Sequence, residues 1–137
     1  MYMVGMADGL TERKELVMER DDAIYLAGLF DGEGCVQFHR RYRRKKKGDK
    51  KTYANLICSL DISMTDKPTI EFVRKITGVG SVNKRIKNKS PTSKAHWKDQ
   101  WRWNASHRQA CEIAKAIAPF AITKQDKLLE IVNHYVN

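Results

Sequence analysis

Apolar and polar positions change period repeatedly along the chain, and each change marks an element. An apolar-rich run from about Ala23 to Gly32 reads as a helix, with Asp21 or Asp22 as its N-cap. Cys35 to Tyr42 then turns to alternation: Val36 and Phe38 on one side, Gln37, His39 and Arg41 on the other. Thr52 to Met64 alternates again, with Leu56, Cys58, Leu60, Ile62 and Met64 inward and Asn55, Ile57, Ser59, Asp61 and Ser63 outward. Thr65 or Asp66 caps a second helix with Pro68 in its first turn, a stripe of Ile70, Phe72, Val73 and Ile76, and Gly78-Val79-Gly80 at its end.

Ser81 to Lys87 forms a third strand, with Val82 and Ile86 inward and Asn83, Arg85 and Lys87 outward. Trp97 to Asn104 forms the fourth. Its Trp101 and Trp103 share the side opposite Gln100 and Arg102, which makes them core residues rather than stacking platforms for bases. Ser106 caps a helix from about His107 to Ala118, Pro119-Phe120 breaks it, and Thr123 caps a last helix carrying Leu128, Leu129, Ile131, Val132 and Tyr135. The expected division is a tail or short helix over 1–20 and a single α+β domain over 21–137.

Charge sharpens the picture. The formal net charge is +10 and the pI about 9.7. That balance points to a polyanionic partner. Much of the charge is clustered: Arg43 to Lys51 is a basic run around Gly48-Asp49, the turn of a long hairpin, and Asn88 to Ala95 is a second basic turn. Cys35, Cys58 and Cys111 form no CxxC pair, so neither zinc nor a disulfide framework is indicated. Two of them sit on apolar-patterned stretches and read as reduced core residues of an intracellular protein. No apolar run approaches the ~20 residues of a membrane span, and no signal peptide is evident.

The first helix holds the unusual chemistry. Gly28 and Gly32 lie four apart, hence on one face, with Ala27 and Asp31 beside them. Each interior glycine costs a helix about 1 kcal/mol against alanine. Such glycines suit a close approach of another backbone. The helix then ends on a carboxylate, Glu33, followed by Gly34.

The nine residues Leu26-Ala27-Gly28-Leu29-Phe30-Asp31-Gly32-Glu33-Gly34 resemble the defining motif of the LAGLIDADG homing endonucleases, with Phe30 for Ile, Gly32 for Ala and Glu33 for the last Asp. The element order agrees with that family's α-β-β-α-β-β-α core. The resemblance implies a four-stranded antiparallel saddle that binds double-stranded DNA, with helices on the other side. One motif in the chain implies a homodimer, with Ala27, Gly28, Leu29 and Gly32 at the interface. It further implies that Glu33, with the Gly32 carbonyl, ligates Mg²⁺; Mn²⁺ would substitute, and Ca²⁺ would support binding without efficient cleavage.

Asp31 takes a structural role under this resemblance. Asp66 stands where the family has a polar residue that holds active-site water, although an N-cap role explains it equally well. Pro119 to Gln125 resembles the segment that carries the family's basic active-site residue, here Lys124; otherwise Lys124 is an exposed first-turn lysine. Base readout falls to Gln37, His39, Arg41, Asn55, Ser59, Asp61, Asn83, Arg85, Gln100 and Arg102 on the outward strand faces, whose side chains match base edges in the major groove, and Lys87 is a further DNA-binding residue. Arg43, Arg44, Lys45, Lys46 and Lys89 fall to phosphates, which position but do not specify. Two other readings share this charge: a LAGLIDADG maturase that binds intron RNA, and a cleavage-dead DNA-binding module.

Overall fold

The computed structural model describes residues 18–44, 52–85 and 99–136. The chain runs α1 (Arg20–Glu33), β1 (Gly34–Arg44), β2 (Thr52–Met64), α2 (Lys67–Thr77), β3 (Ser81–Arg85), β4 (Gln100–Ser106), α3 (His107–Ile117), a 3₁₀ turn (Ala118–Phe120) and α4 (Gln125–Val136). The strands form one antiparallel sheet in the order β1-β2-β4-β3. This is the α+β order expected from the pattern and the four-stranded antiparallel sheet that the resemblance implies. Among the described residues, no helix is long and apolar enough to cross a membrane.

Alternation builds the core as the pattern requires. Cys58, Leu60 and Ile62 of β2 and Trp103 and Ala105 of β4 are buried beneath Leu26 and Phe30 of α1, Ile70 and Val73 of α2, and Ile113 and Ile117 of α3. Trp103 is fully buried, and its indole N–H donates to the Val79 carbonyl at 3.0 Å. That bond and the left-handed Gly78 (φ 70) fix the Gly78-Val79-Gly80 turn after α2. Gly80 is held closer still: a Cβ there would lie 2.8 Å from the Asn104 carbonyl oxygen. Trp101 is half-buried, with the ammonium groups of Lys67 and Lys84 4.6 and 5.6 Å from its ring centroid. Cys58 and Cys111 are buried and Cys35 is exposed. Burial pushes both buried thiols above their ordinary titration range.

Three boundaries differ from expectation. α1 starts at Arg20, so Asp21 and Asp22 lie in its first turn and Glu19 holds the cap position. The positive end of the helix dipole favours acids throughout that turn, not only at the cap. β4 extends to Ser106 because Leu60 and Ser59 of β2 continue the ladder opposite Ala105 and Ser106. The fourth helix begins at Gln125, and the carbonyl that opens it belongs to Lys124, so Thr123 is not its cap. The expected N-terminal helix over Thr11 to Met18, both hairpin tips, Ile86 and Trp97 lie outside the described residues, Met18 excepted.

Candidate nucleic-acid interface and hydrolytic site

Directly opposed residues of an antiparallel pair share a face. The register sets Gln37, His39 and Arg41 opposite Ser59, Ile57 and Asn55, and Asp61 opposite Asn104. It sets Asn83 and Arg85 opposite Arg102 and Gln100. All ten of the readout residues within the described strands therefore lie on the face away from the core. His39, Arg41, Asn55, Asn83 and Arg85 are exposed there; Gln37, Gln100 and Arg102 are half-buried. A depression of about 450 Å³ opens among Cys35, Gln37, Asp61, Ser63, Asn83, Arg85 and Arg102. Arg43 and Arg44 close β1, paired with Tyr53 and Thr52. Lys45, Lys46, Lys87 and Lys89 lie outside the described residues.

Two members of that set are not surface groups. Ser59 and Asp61 are buried, Asp61 at 6% exposure. Asp61 Oδ1 accepts from Arg102 Nε at 3.1 Å, from Arg102 Nη2 at 2.6 Å and from Asn104 Nδ2. Asn104 belongs to the same face but was not among the expected residues. Its parity with Gln100 and Arg102 was the available signal.

The end of α1 is built around Phe30. Gly34 leaves the helix in extended conformation, and its N–H returns to the Phe30 carbonyl. A Cβ on Gly34 would overlap the Phe30 ring, so the motif's final glycine is required by packing. Glu33, the last helical residue, is exposed. Because Gly34 pairs with Ile62 near the end of β2, Glu33 stands on the side where that strand runs toward Asp66. Asp66 occupies the cap position of α2, is exposed, and its Oδ2 accepts from the Thr69 hydroxyl.

Lys124 reaches the same helix end from the other direction. Its Nζ donates to the carbonyls of Phe30 and Asp31, both at 3.1 Å, and lies 5.7 Å from the Phe30 ring centroid. It is half-buried and precedes α4, so it is not the exposed first-turn lysine that was the other possibility. In return, Asp31 Oδ2 accepts from Ile122 N at 2.8 Å and Oδ1 from Lys124 N at 3.0 Å. Burial alone would raise the Asp31 pKa. The Ile122, Lys124 and Thr123 amides and the Lys124 charge outweigh it and hold the carboxyl below its usual range.

The outer face of α1 is open. Among the described residues, a Cβ added to Gly28 or Gly32 would meet nothing within 4 Å. Ile24 and Tyr25 are exposed on this helix and Leu29 is half-buried. Ala27 corrects the expected interface set: at 1% exposure it faces the chain's own core. Helical neighbours differ by about 100° in direction, and that rotation separates Ala27 from Gly28.

The donor set suits a hard divalent ion in part. Glu33 supplies a carboxylate, and the last-turn Gly32 carbonyl lies at the negative end of the helix dipole. Among the described residues, no three His, Cys, Asp or Glu side chains gather in a group that could hold a metal. By itself the described chain offers one carboxylate and one carbonyl there, fewer donors than the six or more oxygens that a hard divalent ion takes.

A family model described as LAGLIDADG endonuclease matches residues 26–109, more than half of the chain. The fold also matches solved structures. The homing endonuclease I-CvuI, solved with its target and Ca, aligns at 15% identity and a TM-score of 0.62 over 83% of this chain. The archaeal intron-encoded endonuclease I-Vdi141I, complexed with DNA, aligns at 17% identity and a TM-score of 0.59 over 82% of it. The alignments span 65% of I-CvuI and 66% of I-Vdi141I. I-CpaMI, bound to uncleaved DNA, aligns at 16% identity and a TM-score of 0.58, over 81% of this chain and 34% of its own. Comparison with curated proteins gave no match. With its glycine-faced α1 ending in Glu33 and its polar sheet face, the chain belongs to the LAGLIDADG endonuclease family.

Proposed function

We propose that this chain is a site-specific homing endonuclease that acts as a homodimer and cuts both strands of a long, pseudo-palindromic DNA. The observation that carries the reading is the outer face of α1, open at Gly28 and Gly32 and ended by an exposed Glu33. Two such helices, packed glycine to glycine about a two-fold axis, bring two Glu33 carboxylates together, one for each scissile phosphate. A divalent ion held by Glu33 and the Gly32 carbonyl would supply Lewis-acid activation of water and neutralise the leaving oxygen. Lys124 fixes the helix end that presents Glu33 and adds positive charge beside it. Asp66, on the side of the sheet where β2 ends, is positioned to order water. The polar sheet face would then enter the major groove.

The test is cleavage of a randomised duplex library by the purified protein in Mg²⁺, with sequencing of the ends produced. The reading expects ends that share one approximately palindromic site and vanish with EDTA. Enrichment of intron RNA with no cut DNA, in Mg²⁺ or Mn²⁺, would replace it with the maturase reading.

A further inference from the structure

Asp61 is out of place on a surface built to meet phosphates. A carboxylate there repels the polyanion, and burying one is costly unless it is paired and hydrogen-bonded. Asp61 is both. Its Oδ1 accepts from Nε and Nη2 of Arg102 and from Asn104 Nδ2, and its side chain is 9% exposed. The three bonds reach across 41 and 43 residues of sequence to the neighbouring strand. Arg102 meanwhile keeps 38% of its side chain exposed, on the rim of the depression that Gln37, Asn83 and Arg85 also line.

The geometry of the guanidinium fixes what is left. Arginine has five N–H donors in a rigid planar fork. Asp61 occupies the Nε–Nη2 edge. The remaining end, Nη1 with the second Nη2 proton, offers parallel donors spaced for a bidentate acceptor. In the major groove, that acceptor is O6 and N7 of guanine. An unbuttressed arginine would sample many rotamers and serve any phosphate; one held at Nε and Nη2 has its rotamers restricted before DNA arrives.

We propose that Asp61 is a positioning residue for specificity: it makes no base contact itself and presets Arg102 to select guanine at one base pair of each half-site. The inference rests on the proposed DNA-binding function and goes beyond it by assigning one base, one reader and the residue behind the reader. Asn104 donates to the same oxygen and holds the carboxylate from its other side.

The test is selection of bound duplexes from a randomised library in Ca²⁺, using the full chain and the variants Arg102→Lys, Asp61→Ala and Asn104→Ala. The wild type should enrich a site with guanine at one position per half-site. Arg102→Lys, which loses the planar fork, should weaken that preference by about tenfold and leave the other positions unchanged. Asp61→Ala should flatten the same position while binding to unselected duplexes holds or tightens, since an acid has left the surface. Asn104→Ala should act more weakly at that position.

A merely structural role would lower all positions together and would not single one out. Arg102→Lys keeps a cation beside the buried Asp61, so it carries the test even if Asp61→Ala fails to fold. The proposal is overturned if Arg102→Lys and Asp61→Ala alter different positions, or if the position they share prefers a base other than guanine. A wild type that enriches no DNA sequence overturns both this inference and the function it rests on. Cleavable sites found without a guanine dependent on Arg102 overturn this inference alone.

Discussion

Asp31 and Lys124 hold each other across two helix ends. The Asp31 carboxylate accepts the Lys124 and Ile122 amides where α4 begins, and the Lys124 ammonium donates to the Asp31 and Phe30 carbonyls where α1 stops. The anion sits by a helix N-terminus and the cation by a C-terminus, each at the pole that favours it. Glu33 lies two residues beyond Asp31, so this clasp sets the direction in which the proposed metal ligand leaves the helix.

Replacing Lys124 with methionine keeps the length and removes the donors. Hydrogen bonds to charged groups contribute roughly 1.5–3 kcal/mol, so urea unfolding should show a loss of about that size. Cleavage by the folded fraction should fall as well. A variant that loses stability but cuts at the wild-type rate would restrict Lys124 to a structural role.

Asp31 makes acid stability a test of the clasp. Its folded pKa lies below the ordinary aspartate value. A depressed carboxyl contributes stability above the unfolded value and loses it as pH falls through the folded value. Asp31→Asn should therefore be less stable than wild type at pH 7. The gap should narrow below about pH 4, in chemical unfolding measured at a series of pH values. A gap that stays constant to pH 2 would show that the charge is not what stabilises.

Glu33→Gln preserves shape and removes the charge that would hold a divalent ion. Mg²⁺-dependent cleavage should drop by orders of magnitude, while gel shifts in Ca²⁺ persist because the basic contacts remain. Near wild-type cutting of both strands would overturn the proposed mechanism.

Gly28→Leu separates fold from assembly. Among the described residues nothing would meet a side chain's Cβ at Gly28, so the monomer should gain up to about 1 kcal/mol from helix propensity. The proposed dimer should weaken because the two helices can no longer approach. Sedimentation at several concentrations, paired with thermal unfolding, reads both effects. Unchanged association would place any dimer contact elsewhere.

The local pattern determined what depends on local geometry. Alternation over Thr52 to Met64 set both the bounds of β2 and the side its apolar residues bury, because strand faces follow directly from a period of two. The Gly78-Val79-Gly80 stop, the helix break at Pro119 and the gathering of readout residues on one face were legible for the same reason. Tertiary structure decided everything that needed a distant partner. Ala27 and Gly28 are both small and adjacent, and only the neighbours of α1 show that the first is core and the second open. Parity put Asp61 on the polar face, but its burial depends on Arg102 in another strand. The end of α1 is tied to amides 91 and 93 residues further along the chain. No periodicity within one element encodes such a contact, because it arises only when the sheet and the packed helices bring the two ends together.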